Sequence, residues 1–207
     1  MPRMRTLLIA LVLIGCGGDD AKNAPIDAAV QIDAPPVATL DCTSYCSAIM
    51  TNCTGANAQY PDMQQCLGTC AAFPVGALAD RTGNTLGCRL YHAGMPSATT
   101  PTTHCFHAGP GGAGADGTTS QCGGDCDGFC NIMQSGACPG KYADTATCLA
   151  ACGAFTSTPP FHSAATGDNR QCRLYHATNA IRMGTAPGGV HCNHASATGN
   201  VAPCMTP

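Results

Sequence analysis

Apolar side chains recur at helical spacing in the part of the chain that begins near residue 41. A first helix is indicated by residues at i, i+3, i+4, i+7, i+8 and i+11, namely Cys42, Tyr45, Cys46, Ile49, Met50 and Cys53. A second helix is indicated in the same way by Met63, Cys66, Leu67, Cys70 and Phe73. Asp41 and Asp62 directly precede the two patterns, where a carboxylate can accept hydrogen bonds from the free N–H groups of a first turn. The pattern therefore predicts two capped helices.

The same arrangement returns in the second half of the chain. TGNTLGCRLYHA at 82–93 corresponds to TGDNRQCRLYHA at 166–177, and HCFHA at 104–108 corresponds to HCNHA at 191–195. Self-similarity of this kind is typical of a tandem duplication. We therefore divide this part of the chain into repeat one, residues 41–122, and repeat two, residues 125–204.

Each repeat is predicted to contain a third helix that carries the CRLYHA motif. It starts at Asn84 in repeat one and at Asp168 in repeat two, and these residues serve as its caps. Asp125 and Asp144 are the repeat-two counterparts of Asp41 and Asp62 and are predicted to cap in the same way. The segments after the third helix are rich in Gly and Pro and predict long loops. Because residues 96–121 and 178–203 lack a clear periodicity, short β pairs are an alternative there.

Composition argues against an ordinary hydrophobic core. Of the 192 residues after Gly15, only 22 are Leu, Ile, Val or Phe. A chain so poor in large apolar side chains is normally disordered, yet the net charge is only −3, so self-repulsion is weak. The 17 cysteines offer another source of stability. The same composition excludes a polybasic nucleic-acid-binding protein and a protein that spans the membrane several times.

Sixteen of the cysteines form two sets of eight. They are Cys42, Cys46, Cys53, Cys66, Cys70, Cys88, Cys105 and Cys122, and then Cys126, Cys130, Cys138, Cys148, Cys152, Cys172, Cys192 and Cys204. An even number in an exported chain predicts a disulfide framework. Because no cysteine follows Cys204, its partner lies earlier in repeat two. By equivalence each repeat closes with four disulfides of its own.

Helical spacing suggests two pairs in each repeat. Cysteines four residues apart lie on one face of a helix, and antiparallel packing of the two helices joins Cys42 to Cys70 and Cys46 to Cys66. The equivalent pairs in repeat two are Cys126–Cys152 and Cys130–Cys148. The arrangement resembles the twin CX3C helical hairpin of small mitochondrial intermembrane-space chaperones over about thirty residues per repeat. We take the hairpin geometry from that resemblance and not the chaperone activity. For the remaining cysteines we predict Cys53–Cys88 and Cys105–Cys122, with Cys138–Cys172 and Cys192–Cys204 in repeat two.

The N-terminal residues predict export. Arg3 and Arg5 precede an apolar run at 7–15 that is too short to span a bilayer, which is typical of a signal peptide. The sequence LIGC at 13–16 resembles the lipobox of bacterial lipoproteins. That resemblance implies cleavage after a signal peptide at 1–15 and acylation of Cys16. The rest of the segment 16–40 is rich in Asp, Ala and Pro without a sustained apolar period, which predicts a flexible tether that holds the folded part on the membrane. In that family Asp after the cysteine favours the inner membrane, so Gly17 implies the outer membrane of a bacterial cell envelope.

Histidine gives the clearest indication of a binding site. Six of the seven histidines occupy equivalent positions in the two repeats, as the pairs His92 and His176, His104 and His191, and His107 and His194. Neutral imidazoles so placed could form one three-nitrogen site per repeat for Cu(II) or Zn(II), and a non-covalent haem is a weaker alternative. The competing interpretation is structural, with the histidines packing and hydrogen-bonding around the disulfides.

Enzymatic chemistry has little support in the sequence. No CXXC motif, glycine-rich phosphate loop or GXSXG motif is present, and the chain contains no Glu. The predicted fold is small, disulfide-rich and mostly α, with a helical hairpin, a third helix and long Gly/Pro loops in each repeat. The predicted protein is not an enzyme but a lipid-anchored binding or structural unit that meets an unidentified envelope or extracellular partner. Metal binding through the repeated histidines is the alternative.

Overall fold

The computed structural model describes residues 39–158, 160, 165–182, 189–197 and 202–205, which belong to one compact unit. Its α-helices are α1 Cys42–Asn52, α2 Met63–Cys70, α3 Leu86–Ala93, α4 Met95–Thr99, α5 Pro101–Ala108, α6 Asp125–Ile132, α7 Thr145–Gly153, α8 Arg170–Ala180 and α9 Val190–Ala195. A 3-10 turn occupies Gly55–Asn57 and a π-turn occupies Met133–Ala137. Within the described ranges there is no strand, only an isolated bridge between Ala113 and Ser120. The prediction of a small, mostly helical fold is confirmed.

Two of the predicted disulfides in each repeat hold a helical hairpin together. Cys42–Cys70 and Cys46–Cys66 join α1 to α2, and Cys126–Cys152 and Cys130–Cys148 join α6 to α7. The N-terminal cysteine of one helix pairs with the C-terminal cysteine of the other, as antiparallel packing requires. The helical spacing of the cysteines was therefore sufficient to identify these four pairs.

The other predicted pairs are wrong. The structure joins Cys53 to Cys105 and Cys88 to Cys122, with Cys138–Cys192 and Cys172–Cys204 in repeat two. The cause is the segment 96–121, which we expected to be a loop or a β pair. It contains α4 and α5 instead, and α5 packs against α1 so that Cys105 meets the end of that helix. Each of these eight disulfides joins two cysteines of the same repeat.

A buried aromatic group fills the space beside the cystines. The Tyr45 ring makes edge contacts with Tyr60 and Phe73, at centroid distances of 6.4 and 6.0 Å. Its hydroxyl donates to the Ala108 carbonyl at 2.6 Å and lies 2.9 Å from the Tyr60 hydroxyl. Phe129 takes the place of Tyr45 in repeat two. The hydrogen bond from the Tyr45 hydroxyl to the last residue of α5 thus connects the α1–α2 hairpin of repeat one to α5.

The caps agree with the sequence at three of the six predicted positions. Asp41, Asp62 and Asp144 accept hydrogen bonds from the first turns of α1, α2 and α7. The third helix begins later than predicted, and Thr85 and Asn169 cap it instead of Asn84 and Asp168. Asn84 and Asp168 instead accept hydrogen bonds from the buried arginines Arg89 and Arg173.

Asp125 is not a cap either, because it lies inside the first turn of α6 and is only 6% exposed. The backbone N–H of Gly124 donates to Asp127, while Asp125 accepts a hydrogen bond from Gln171 at 3.0 Å. Burial raises the pKa of Asp125 to about 6, with Arg170 and the Gln171 hydrogen bond opposing the rise. The packing around α6 therefore outweighs the preference of Asp for a helix start.

We expect Asp125→Asn to stabilise the fold by about 3 kcal/mol at pH 7. Between pH 4 and 6, roughly, the folded chain holds a proton on Asp125 that the unfolded chain has lost, so stability falls as the pH rises through this window. The side-chain oxygen of Asn can still accept the hydrogen bond from Gln171, but Asn has no group that titrates. Urea unfolding at a series of pH values measures the effect.

Asp144→Asn is the matched control for that experiment, because Asp144 is an exposed cap whose pKa is lowered by the backbone hydrogen bond of Thr147. Its contribution has the opposite sign, since it is lost as the pH falls. A pH profile for Asp125→Asn that parallels that of the unsubstituted chain would contradict the assignment.

Candidate metal centre

In repeat one, α3 and α5 bring three histidines together. His92 lies one turn beyond Cys88 on α3, and His104 and His107 lie one turn apart on α5. The Nδ1 atoms of His92 and His104 are 2.9 Å apart, and the His107 ring meets the His92 ring edge-on at a centroid distance of 5.1 Å. One ring nitrogen from each histidine lies within 4.8 Å of the other two. The structure therefore brings together the three histidines of repeat one for which the sequence predicts a three-nitrogen site.

Repeat two reproduces the cluster with His176 on α8 and His191 and His194 on α9. The Nδ1 atom of His176 lies 2.9 Å from Nδ1 of His191 and 3.4 Å from Nδ1 of His194. The ring of His176 is stacked on that of His191 and perpendicular to that of His194, as in repeat one. The two clusters therefore share their geometry although most surrounding surface residues differ.

A backbone carbonyl fixes the central histidine in each cluster. Nε2 of His92 lies 3.1 Å from the Arg81 carbonyl oxygen, and Nε2 of His176 lies 3.1 Å from the Ala165 carbonyl oxygen. In the neutral ring this nitrogen carries the proton and donates it, which leaves the Nδ1 lone pair directed at the other two histidines. Metal-bound histidines are held by the same kind of outer hydrogen bond. The sequence does not predict this carbonyl partner, since every residue type carries the same main-chain oxygen.

The nitrogen spacings suit a shared metal ion. Two nitrogens that each lie about 2.0–2.1 Å from a tetrahedral Zn(II) are separated by about 3.3 Å. The measured separations of 2.9 and 3.4 Å bracket that value. Without a metal, the short contact between His92 and His104 is a hydrogen bond, which requires His104 to carry its proton on Nδ1. Metal binding would therefore move that proton to Nε2 or release it.

The central rings are held in the neutral state that a metal requires. Burial lowers the pKa of His92, and burial together with the neighbouring His92 and His104 lowers the pKa of His107 to about 4. In repeat two, burial lowers the pKa of His176 to about 4, and burial and His191 lower that of His194. Nδ1 of His107 is also buried without a hydrogen-bond partner. An unpaired buried nitrogen is costly in an ordinary core and is consistent with a ligand position.

Two other groups near the clusters do not fit a ligand role. Cys88 and Cys122 lie close to His92, but their sulfurs are joined in a disulfide and have no thiolate to offer. A polar cavity of about 290 Å³ opens beside His107, and its wall includes Asp116. The Asp116 carboxylate is occupied by the Thr118 and Thr119 N–H groups, and these bonds lower its pKa. The cavity gives solvent a route toward the cluster of repeat one.

Comparison with known proteins found one matching family model. Residues 26–123 match the model of the BfoA family C-terminal domain. The match covers repeat one and part of the preceding segment, less than half of the chain, and it is consistent with a Cys-rich repeat. Comparisons with curated proteins and with solved structures gave no match.

The predicted signal peptide at 1–15, the lipobox with Cys16 and most of the tether lie outside the described residues, and so does His162, the histidine without a counterpart. In the part of the chain that the structure describes, no helix has the length and apolarity needed to cross a bilayer.

Proposed function

We propose that this protein is an exported lipoprotein whose two disulfide-closed repeats each bind one divalent transition metal ion, Zn(II) or Cu(II), through three histidines. The observation that carries the proposal is the convergence of three imidazoles in both repeats, with the central ring held by a carbonyl in each. Nδ1 of His107, which is buried without a hydrogen-bond partner among the described residues, also supports a ligand position.

The cellular setting rests on the sequence. The LIGC motif supports acylation of Cys16 and attachment to the outer membrane, with residues 16–40 as the tether. Eight disulfides require an oxidising compartment, which agrees with export. The proposed role is binding and not catalysis. Two sites on one tether would raise the avidity for a metal-dependent partner that presents a repeated surface.

The test is metal stoichiometry in the full chain. The chain is exported, purified with its disulfides formed, equilibrated with Zn(II) or Cu(II), desalted and analysed for bound metal. We expect two ions per chain, one for His92→Ala and none for the His92→Ala, His176→Ala double variant. Removal of one of three nitrogen ligands leaves a pair that cannot hold the ion through desalting.

His162→Ala is the matched control and should retain two ions, since His162 is the one histidine without a counterpart in the other repeat. Co(II) gives a second readout, because tetrahedral binding produces visible absorption that should halve in His104→Ala. Disulfide mapping and circular dichroism verify that each variant is folded. A folded, unsubstituted chain that binds no metal would remove the proposal, and so would retention of both ions by the double variant.

A further inference from the structure

The two repeats pack against each other through one face of repeat two. Helix α2 of repeat one contacts α8 of repeat two. Gly128 on α6 lies so close to the Pro110 carbonyl oxygen that an added Cβ would collide with it. Leu174 is fully buried and lies beside Gly111. Repeat two therefore presents a docking face, made by α6 and α8, that repeat one covers.

Repeat one has the same face, and in the described structure no part of the chain fills it. The residues equivalent to Gly128, Leu174, Tyr175 and Thr178 are Ser44, Leu90, Tyr91 and Gly94. They line an open apolar groove of about 450 Å³. Leu78, Tyr91 and Met95 in its wall are 45%, 39% and 73% exposed. Exposed apolar residues grouped in a groove are typical of an interaction surface.

The surface that covers the docking face also occurs in both repeats. It is covered in repeat one and exposed in repeat two. In repeat one it consists of three buried residues of α2, Gln65, Gly68 and Thr69, and of Ala72 just after α2, which packs against the core of repeat two. The equivalent residues are Thr147, Ala150 and Ala151 on α7 and Ala154 at its C-terminal end. Three of them are exposed and Ala151 is half-buried. This α7 surface is small and uncharged, and no part of the chain that the structure describes covers it, as a helix that docks into a groove requires.

We propose that a second copy of this chain places its α7 surface in the groove of repeat one and so repeats the contact that α2 makes with α8 inside one chain. The internal interface is the template, since the groove of repeat one and the α7 surface are the equivalents of its two helical faces and both are exposed among the described residues. Such an interface is heterologous, so that copies add head to tail and can build chains. Terminal repeats of stacked arrays normally carry polar caps, which this groove lacks.

A polar contact between the repeats also has its counterpart. The Asn131 amide donates to Asn84 Oδ1 at 3.2 Å across the internal interface. The equivalent residues are Ser47 and Asp168, a hydroxyl donor and a carboxylate acceptor. Ser47 is exposed on α1, and the side chain of Asp168 is 48% exposed. The docked copies would therefore retain a hydrogen bond at this position.

The difference between Ser44 and Gly128 gives a graded variant. Ser44 stands where Gly128 allows the chain of repeat one to approach closely, so a docked copy must sit farther out at this point. Ser44→Gly removes the side chain and should strengthen association several-fold. This variant keeps the backbone N–H that donates to Asp41.

Sedimentation velocity of the full chain tests the proposal, in a Cys16→Ser background that removes the acylation site. Between about 10 μM and about 1 mM we expect oligomers that grow with concentration, since chains joined at a single small interface associate weakly. Met95→Arg in the groove and Ala150→Arg on α7 should each give monomers. An equimolar mixture of the two variants should give dimers and nothing larger, because one intact groove and one intact α7 surface remain.

Val75→Arg is the control, since Val75 is 59% exposed and lies outside both surfaces. Ala154→Arg replaces Ala150→Arg if the latter fails disulfide mapping. A chain that stays monomeric at every concentration would overturn the proposal. Oligomers that Met95→Arg abolishes but Ala150→Arg leaves intact would indicate a symmetric interface and would also overturn it. A mixture of the two variants that remains monomeric would do the same.

Discussion

Reduction of the eight disulfides should unfold both repeats at neutral pH and room temperature. Ordering the backbone costs roughly 1–2 kcal/mol per residue, and the few large apolar side chains in this chain cannot offset that cost. The cores that the structure shows are built largely around buried cystines, with Cys46, Cys66, Cys148 and Cys152 fully buried. Circular dichroism during titration with a phosphine reductant measures the loss of helix.

Single disulfides allow a graded version of the same experiment. Cys53–Cys105 spans 52 residues and Cys46–Cys66 spans 20. Replacing both cysteines of either pair by Ala should cost about 2–5 kcal/mol, with the longer loop at the upper end. Cys16→Ser should leave unfolding unchanged. A reduced chain that keeps a cooperative thermal transition would show that side-chain burial alone maintains the fold.

The second large effect is expected at Arg89, which is fully buried on α3. Its guanidinium lies over the Phe73 ring at 4.0 Å, donates to the Gly109 carbonyl at 3.2 Å and donates to Asn84 Oδ1 at 3.0 Å. The side chain thereby holds the chain that follows α5 against α3. Arg89→Ala should destabilise the fold by about 3–5 kcal/mol, because it leaves buried acceptors without a donor and opens a cavity.

Arg89→Lys separates the charge from the shape of the side chain. Lysine keeps the charge but lacks the planar group that stacks on Phe73 and donates in two directions, so we expect it to recover less than half of the loss. Arg81 is the control, since it lies over the Tyr91 ring on the surface and its removal should cost about 1 kcal/mol or less. Urea unfolding gives all three values. Arg89→Ala within about 1 kcal/mol of the unsubstituted chain would contradict the assigned role.

Local spacing predicted the features that depend on one helix or one pair of helices. The hairpin disulfides follow from cysteines one turn apart, and the caps at Asp41, Asp62 and Asp144 follow from their place before an apolar pattern. The pairing of Cys53 failed because α4 and α5 are short, Thr-rich helices without a strong apolar period. A proline in the first turn of each helix was the available signal.

Tertiary packing explains the other differences. Asp125 has the sequence context of a cap, yet Gln171 from α8 reaches it and burial changes its role. The candidate site was predicted at the level of its imidazoles, because the same three histidine positions occur in both repeats. The carbonyls of Arg81 and Ala165 that orient the central rings come from the backbone, so only the folded loop reveals them.

The confinement of every disulfide to its own repeat affects how the chain can mature. The last bond of repeat one uses Cys122, and the first cysteine of repeat two is Cys126. The N-terminal part of the chain is exported first. An oxidase can therefore complete the four disulfides of repeat one before the cysteines of repeat two arrive. Eight thiols allow 105 pairings, far fewer than sixteen thiols allow together. Vectorial synthesis thus simplifies the search for native connectivity and leaves two successive, independent oxidation problems.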